Sequence, residues 1–239
     1  MPDRPKAVIL AGGMGTRLQP YTFFVPKPML PLGDKPLLEH LILWLKGNGV
    51  SEFVLSVSYL RRTIESYFSS GAEWKVKISY ARSTAPLGIA GQVLNVRNKV
   101  DSTFYLLYGD SVFDFELRKM LEFHKKTKSK LTMGLMHYSQ KLAYGLIERD
   151  KNGKVTAWKE KPEVGGLINV GCYVVEPTLF DYIPNGKMYG FDSVVRDMIS
   201  AGETVSSYII EGKEFIDIGD EHSYRRAYDR FLDKMGKVL

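Results

Sequence analysis

The alternation of short apolar runs with helical patterns along the first hundred residues constrains this chain more than any other feature. β-rich runs at 7–10, 53–57 and 76–80 are separated by helical patterns over 37–45 and 60–68. In the first of these helices Leu38, Leu41, Ile42 and Leu45 form one stripe, and Gly47 and Gly49 follow as terminators. This is the rhythm of successive βα units, which build a parallel sheet with helices on its faces. A further helix over 89–98 leads into residues 103–107, whose unbroken apolar run predicts a central strand covered on both faces. With 239 residues, 44% hydrophobic and 25% charged, the chain can bury a large core. Collagen-like, disordered and disulfide-scaffold classes are excluded.

After residue 130 the texture changes. Residues 131–137, 144–148 and 154–159 read as strands, and Asn152-Gly153 signals a tight hairpin between the last two. Residues 167–175 form another strand, Pro177 opens a helix, and 191–201 is a helix capped by Gly202. Residues 204–210 and 215–218 return to the sheet, and 221–235 closes the chain as an amphipathic helix. The expected fold is therefore α/β: a Rossmann-like three-layer arrangement whose mixed, mostly parallel sheet carries helices on both faces and a small antiparallel insertion on the substrate side. Ligands of open α/β sheets lie beyond the carboxyl ends of the parallel strands.

The formal charge of +6 raises a nucleic-acid reading, because phosphate backbones reward clustered Lys and Arg. The densest cluster, 118–130, lies on a helical pattern in which Leu117, Met120, Leu121 and His124 follow the i, i+3, i+4, i+7 rule. That pattern leaves its lysines on a solvated face, and no nucleic-acid partner is expected. The longest apolar stretches, 103–108 and 171–175, fall far short of the roughly 20 residues that span a bilayer, and residues 1–6 lack a signal-peptide start, so no membrane partner is expected. Cys172, the lone cysteine, can form no internal disulfide and suits a reducing, cytoplasmic setting as a packed strand residue.

Strand 7–10 runs straight into Ala11-Gly12-Gly13-Met14-Gly15-Thr16-Arg17-Leu18. Glycines at 12, 13 and 15 let backbone N–H groups approach an anion, and a helix start nearby would add partial positive charge. The loop has neither Walker A spacing nor a full G-x-G-x-x-G pattern. What marks it is Arg17 within it and, further on, Pro26-Lys27-Pro28-Met29, where two prolines restrict the backbone around a lysine.

The string Ala-Gly-Gly-x-Gly-Thr-Arg-Leu-x-Pro-x-Thr, followed by Pro-Lys-Pro-Met-Leu-Pro-Leu-Gly, resembles the signature of the sugar-1-phosphate nucleotidylyltransferases, or nucleotide-sugar pyrophosphorylases. Further elements are similar to that family's and stand in its order from residue 7 to about 230. They are Pro86-Leu87-Gly88-Ile89-Ala90-Gly91, Tyr108-Gly109-Asp110, Tyr144-Gly145, Glu160-Lys161-Pro162, Ile168-Asn169-Val170-Gly171 and Phe215-Ile216-Asp217-Ile218-Gly219. The resemblance implies nucleotide binding by Leu10, Ala11, Gly12, Gly13, Gly15, Thr16, Arg17, Ser83, Pro86 and Gly88. It implies sugar-phosphate binding by Tyr144, Gly145, Glu160, Lys161, Asn169 and Gly171, and catalysis by Arg17, Lys27 and Asp110. Mg²⁺ is implied as cofactor, held by Asp110 and Asp217 as hard oxygen ligands. One domain over 1–239 is expected, with a nucleotide half to about 130 and a sugar-phosphate half from 131, and without the C-terminal left-handed β-helix of many relatives. A homo-oligomer is left open.

The implied partners are a nucleoside triphosphate and a sugar 1-phosphate, whose phosphate oxygen attacks the α-phosphate and expels pyrophosphate. Both are polyanions, so positive charge must be supplied; the attacking oxygen is already ionised and needs no general base. His40, His124, His137 and His222 show no metal spacing. Residues 167–169 and 215–219 look most like guanylyltransferases acting on mannose or heptose 1-phosphates. Ser83 stands where members using dTTP carry Gln, and Ile89 replaces a family Thr. The alternatives are a glucose-1-phosphate thymidylyl- or uridylyltransferase and a catalytically silent regulatory subunit that senses nucleotide sugars.

Overall fold

The computed structural model describes residues 5–83, 88–211 and 214–236. In chain order its elements are β1 (Ala7–Leu10), β2 (Pro31–Leu32), β3 (Lys35–Pro36), α1 (Leu37–Gly47), β4 (Glu52–Val57), α2 (Arg61–Phe68), β5 (Lys77–Arg82), α3 (Gly88–Leu94), β6 (Phe104–Tyr108), β7 (Ser111–Asp114) and α4 (Leu117–Thr127). These are followed by β8 (Leu131–Lys141), β9 (Leu146–Arg149), β10 (Val155–Lys159), β11 (Glu163–Val175), α5 (Phe191–Ser200), β12 (Val205–Ile209), β13 (Glu214–Asp217) and α6 (Glu221–Gly236).

Seven strands form one sheet in the order β12-β8-β11-β6-β1-β4-β5. β1 runs parallel to β4 and β6, β4 to β5, and β12 to β8, whereas β11 is antiparallel to both of its neighbours. The sheet is thus mostly parallel, and β6 is its middle strand, as the unbroken apolar run at 103–107 predicts. Side-chain alternation splits β1: Ala7 and Ile9 enter one core, Val8 and Leu10 the other. The first core receives α1, α2 and α4, and the second receives α3 and α5. In α1 the stripe Leu38, Leu41, Ile42 and Leu45 is wholly buried, each side chain contributing on the order of 2 kcal/mol of transfer free energy. Gly49, with φ of 88°, reverses the chain after α1, and Asn48 between them accepts the Leu117 N–H at 2.9 Å, capping the start of α4. A third, smaller core joins α6 to Leu18, Leu30, Leu32, Leu37 and Ile218.

Several expectations need correction. The pattern over 89–98 yields a shorter helix, α3, followed by a 3₁₀ turn at Arg97–Lys99, because the chain tightens to bury Val96 and Val100 before entering β6. The helix that Pro177 opens is a short 3₁₀ helix, Pro177–Tyr182. The strand expected from 167 starts at Glu163, since β8 continues to Lys141 and pairs with it. Residues 214–217 do not return to the main sheet; they pair antiparallel with β7, which continues from β6 after a short break and buries Phe113 against Trp44. The hairpin of β9 and β10 forms around Asn152-Gly153, with Asp150 Oδ1 accepting the N–H groups of Asn152 and Lys154 at 2.9 Å.

His124, on the buried stripe of α4, is placed between Thr132 Oγ1 at 2.8 Å from Nδ1 and Glu176 Oε1 at 3.2 Å from Nε2. Burial holds its pKa below the ordinary 6.5, although Glu176 pulls it upward. A proton therefore binds the unfolded chain more readily than the fold. The contribution is complete above the unfolded value and is lost as the pH falls below about 6.5 toward the depressed folded value. The melting temperature should drop between about pH 7 and about pH 5.5, and His124→Gln, measured by circular dichroism, should flatten that slope.

Candidate functional site

The site forms where β1 and β6 end together, with Leu10 opposite Tyr108 in the parallel register. Gly109 continues from β6 so close to β1 that a Cβ there would stand 3.0 Å from Leu10 O. Asp110 follows. Across the gap, the turn Lys27–Met29 buries Lys27 to 9% exposure and aims its ammonium at Asp110 Oδ2, 2.5 Å away. Pro28 locks the backbone beside it. The other carboxylate oxygen, Asp110 Oδ1, is buried without a hydrogen-bond partner, an arrangement costly enough to need a reason.

The glycine loop crosses this pair. Leu10, Ala11, Gly13, Lys27 and Asp110 line one cleft of 180 Å³ together with Gln92 and Tyr108. Gly15 has φ of 62°, and a Cβ there would stand 2.9 Å from Thr22 Cγ2 and 3.1 Å from Lys27 Cβ. Thr22 Oγ1 donates to Gly15 O at 2.9 Å, fixing the turn. The Gly12 N–H is already taken, donating to Gln92 Oε1 at 3.0 Å, whereas the space a Cβ on Gly13 would fill is open. Only a three-residue 3₁₀ turn, Thr16–Leu18, follows the loop. The expected helix dipole is therefore absent here, and positive charge comes from Lys27 and Arg17 instead.

Asp217 reaches the same corner from β13, paired in register with Ser111, while Ile218 N–H donates to Asp110 O at 3.3 Å. A Cβ on Gly219 would lie 3.3 Å from Asp217 Oδ2 and 3.7 Å from Arg17 Nη1. The lack of a side chain there lets both groups approach. The Asp217 pKa is held above its ordinary value, first by loss of water around the carboxylate and next by the negative charge of Asp110, with Lys27 and Arg17 opposing. Two carboxylates, one of them with an orphaned buried oxygen, form a hard-donor pair of the kind that would suit a divalent cation. Among the described residues no group of three His, Cys, Asp or Glu side chains is placed to hold a metal alone.

Asn169 is tied to the cleft by side chains. Its amide donates to Tyr173 OH at 2.6 Å, Tyr173 OH donates to Tyr108 OH at 3.2 Å, and Gly171 N–H donates back to Asn169 Oδ1 at 3.1 Å. Gly171, with φ of 70°, sits at an irregularity in β11 where a Cβ would be 2.5 Å from the Tyr108 ring. Tyr144, Gly145, Glu160 and Lys161 belong to the β9–β10 arm and do not line the cleft. There Trp158 Nε1 donates to Glu160 Oε2 at 3.0 Å, and a Cβ on Gly145 would press within 2.9 Å of that indole nitrogen. Gly88, with φ of 70°, begins α3 against the backbone of Tyr189, and Ser83 follows β5 with its N–H on Val57 O. Pro86 lies outside the described residues. Gln92 and Trp158 are the site residues that the sequence reading misses; nothing in the sequence marks which backbone or carboxylate either one meets.

A glycine turn and a pair formed by a buried lysine and a half-buried aspartate at the carboxyl edge of a mostly parallel sheet define a class of α/β protein suited to holding phosphate groups. Residues 6–234 match the family model described as nucleotidyl transferase, and the chain belongs to that family. It is 33% identical over 248 residues to the UTP–glucose-1-phosphate uridylyltransferase of Synechocystis, covering 96% of this chain and 64% of that protein. It is 32% identical over 225 residues to the mannose-1-phosphate guanylyltransferase of Mycobacterium tuberculosis, covering 92% and 63%. The chain thus spans slightly less than two thirds of the length of these two relatives. The solved structure of HddC from Yersinia pseudotuberculosis complexed with GMP-PN superposes with a TM-score of 0.75 at 26% identity, over 95% of this chain and 99% of that one.

The Lys27–Asp110 contact makes a stability prediction independent of function. Lys27→Met leaves Asp110 desolvated and unpaired, and should cost about 1–3 kcal/mol. Lys27→Met combined with Asp110→Asn removes the stranded charge and should recover most of that loss in urea denaturation.

Proposed function

We propose that this chain transfers a nucleotidyl group from a nucleoside triphosphate to a sugar 1-phosphate, releasing pyrophosphate, with GTP and a mannose-type sugar 1-phosphate as the preferred pair. The carrying observation is the pairing of buried Lys27 with Asp110 at the mouth of the glycine loop, with Asp217 beside it. In this reading a phosphate oxygen of the sugar attacks the α-phosphorus. The bond from that phosphorus to the bridging oxygen breaks, and the electron pair leaves with pyrophosphate. Lys27 and Arg17 offset the repulsion between the two polyanions and stabilise charge as it develops. Gly13, Gly15 and Thr16 present backbone to the triphosphate, and Ser83 and Gly88 flank the base. Asn169 is positioned toward the sugar by Tyr173, and Tyr144, Gly145, Glu160 and Lys161 approach it from the β9–β10 arm. Asp110 and Asp217 would hold a Mg²⁺, which when bound supplies charge neutralisation to the phosphates. Residues 1–130 serve the nucleotide and 131–239 the sugar phosphate, within one domain.

The guanylyl preference draws on the mannose-1-phosphate guanylyltransferase relative and on the GMP-PN complex; the uridylyltransferase relative supports glucose 1-phosphate as second choice. Incubation with each of GTP, dTTP, UTP, CTP and ATP against a panel of sugar 1-phosphates, scored by pyrophosphate release, should give the highest rate with GTP and mannose 1-phosphate. A lead for UTP or dTTP with glucose 1-phosphate overturns the guanylyl choice alone, and silence with every pair overturns the transfer reading in favour of a sensing subunit.

Lys27→Ala should lower turnover by roughly 10²-fold or more while remaining folded by circular dichroism. Asp110→Asn and Asp217→Asn should each lose a similar factor, and the double variant should be barely worse than either single one, because the two carboxylates act on the same ion. Full activity in Asp110→Asn, or losses that multiply, would defeat the shared site.

A further inference from the structure

Gln92 has no part in the transfer as proposed, yet it is the side chain that α3 sends to the glycine loop. It is half-buried, and its Oε1 accepts the Gly12 N–H at 3.0 Å. Its own backbone carbonyl accepts the Ser56 hydroxyl at 3.0 Å, which ties this turn of α3 to β4. The loop leaves room for the contact, since a Cβ on Gly12 would stand 2.8 Å from Gln92 Oε1.

This contact fixes which end of the amide faces the loop. A backbone N–H can only donate, so the atom it meets is the amide oxygen. Nε2 is therefore turned away from Gly12, and among the described residues it has no hydrogen-bond partner. Gln92 lines the 180 Å³ cleft together with Ala11, Gly13, Lys27 and Asp110. It thus brings to the cleft a neutral group whose free end donates and does not accept, held in one orientation by the backbone of the loop.

Its place along the sheet edge decides what that donor meets. The strands beneath run side by side in the order β6, β1, β4, β5, all parallel. Beyond their carboxyl ends Asp110 follows β6, Gly12 follows β1 and Ser83 follows β5. With phosphates at Lys27 and Asp110 and the base beside Ser83 and Gly88, the sugar of the nucleotide crosses above Gly12, at Gln92. We infer that Gln92 is a specificity-determining residue that donates from Nε2 to a ribose hydroxyl oxygen of the nucleoside triphosphate, and so selects ribonucleotides over deoxyribonucleotides. The direction in which the nucleotide lies rests on the proposed transfer. Removal of the hydroxyl strands a half-buried donor without an acceptor, a mismatch that discriminates more strongly than an apolar pocket does.

Titration calorimetry with GTP, 2′-deoxyGTP and 3′-deoxyGTP, without sugar phosphate so that no turnover occurs, tests the contact; the corresponding uridine series replaces it if UTP leads in pyrophosphate release. Wild-type protein should bind the ribonucleotide about fivefold more tightly than at least one deoxy form. Q92M, which keeps the length of the side chain but has no donor, should bind all three alike. A glutamine that only holds the glycine loop would cost all three equally and leave their ratio intact. Q92A serves if Q92M does not fold. In turnover Q92M should raise KM for the ribonucleotide by a similar factor with kcat changed less than about twofold, as when uniform binding is lost. Equal affinity of wild type for all three, a ratio unchanged in the variant, or a loss confined to kcat overturns the assignment of Gln92 and leaves the transfer reading intact. A Gln92-dependent ribose preference in a protein that releases no pyrophosphate from any substrate pair overturns the transfer reading and leaves the ribose contact standing. Failure to bind any triphosphate overturns both.

Discussion

The contact between Lys27 and Asp110 sets the electrostatics of the corner on which the proposed transfer depends. An ammonium cannot be taken from water without a counter-charge, and Asp110 supplies one at 2.5 Å. The pairing satisfies only half of the carboxylate: Oδ1 is left buried and unpartnered, and Asp217 is brought close enough that the negative charge of Asp110 raises its pKa. The corner therefore holds more negative potential than its lysine neutralises and more buried oxygen than its donors satisfy. A hard cation held by the two carboxylates would answer both.

The fold sets this corner at the open end of a buried sheet. β6 and β1 are covered on both faces, so the chain beyond their carboxyl ends is the first place where polar groups can gather. Crowding there is handled by removing side chains. Gly109 passes Leu10, Gly171 passes Tyr108, and Gly219 leaves room for Asp217 and Arg17. The single reversed strand, β11, brings Asn169 to the same edge and continues outward into the arm that carries Glu160 and Lys161.

Much of this was legible in the sequence. The buried stripe of α1, the four inward residues of α4 and the doubly covered middle strand follow from periodicity, because burial of one face is a local pattern that survives any tertiary arrangement. The glycine loop, Lys27 and Asp110 were legible as residue types that phosphate chemistry needs. Less legible were β7 and the pairing of β13 with it rather than with the sheet, since a four-residue strand with two apolar residues carries no record of its partner. Nor could the sequence show that Gln92 takes the Gly12 N–H, since the two lie 80 residues apart and meet only through the fold.

The sequence by itself determined the α/β class, the order of elements and the inventory of charges and glycines, because propensity, period and composition act over a few neighbouring residues. Only the tertiary structure decided what those charges do. It buried Lys27, whose two flanking prolines the sequence shows but whose access to water it does not, and set its ammonium on Asp110. The physical reason is that electrostatic roles are set by distance and by access to water. Both are properties of the folded arrangement, in which Asp110 and Asp217, more than a hundred residues apart in the chain, meet across one pair of hydrogen-bonded strands.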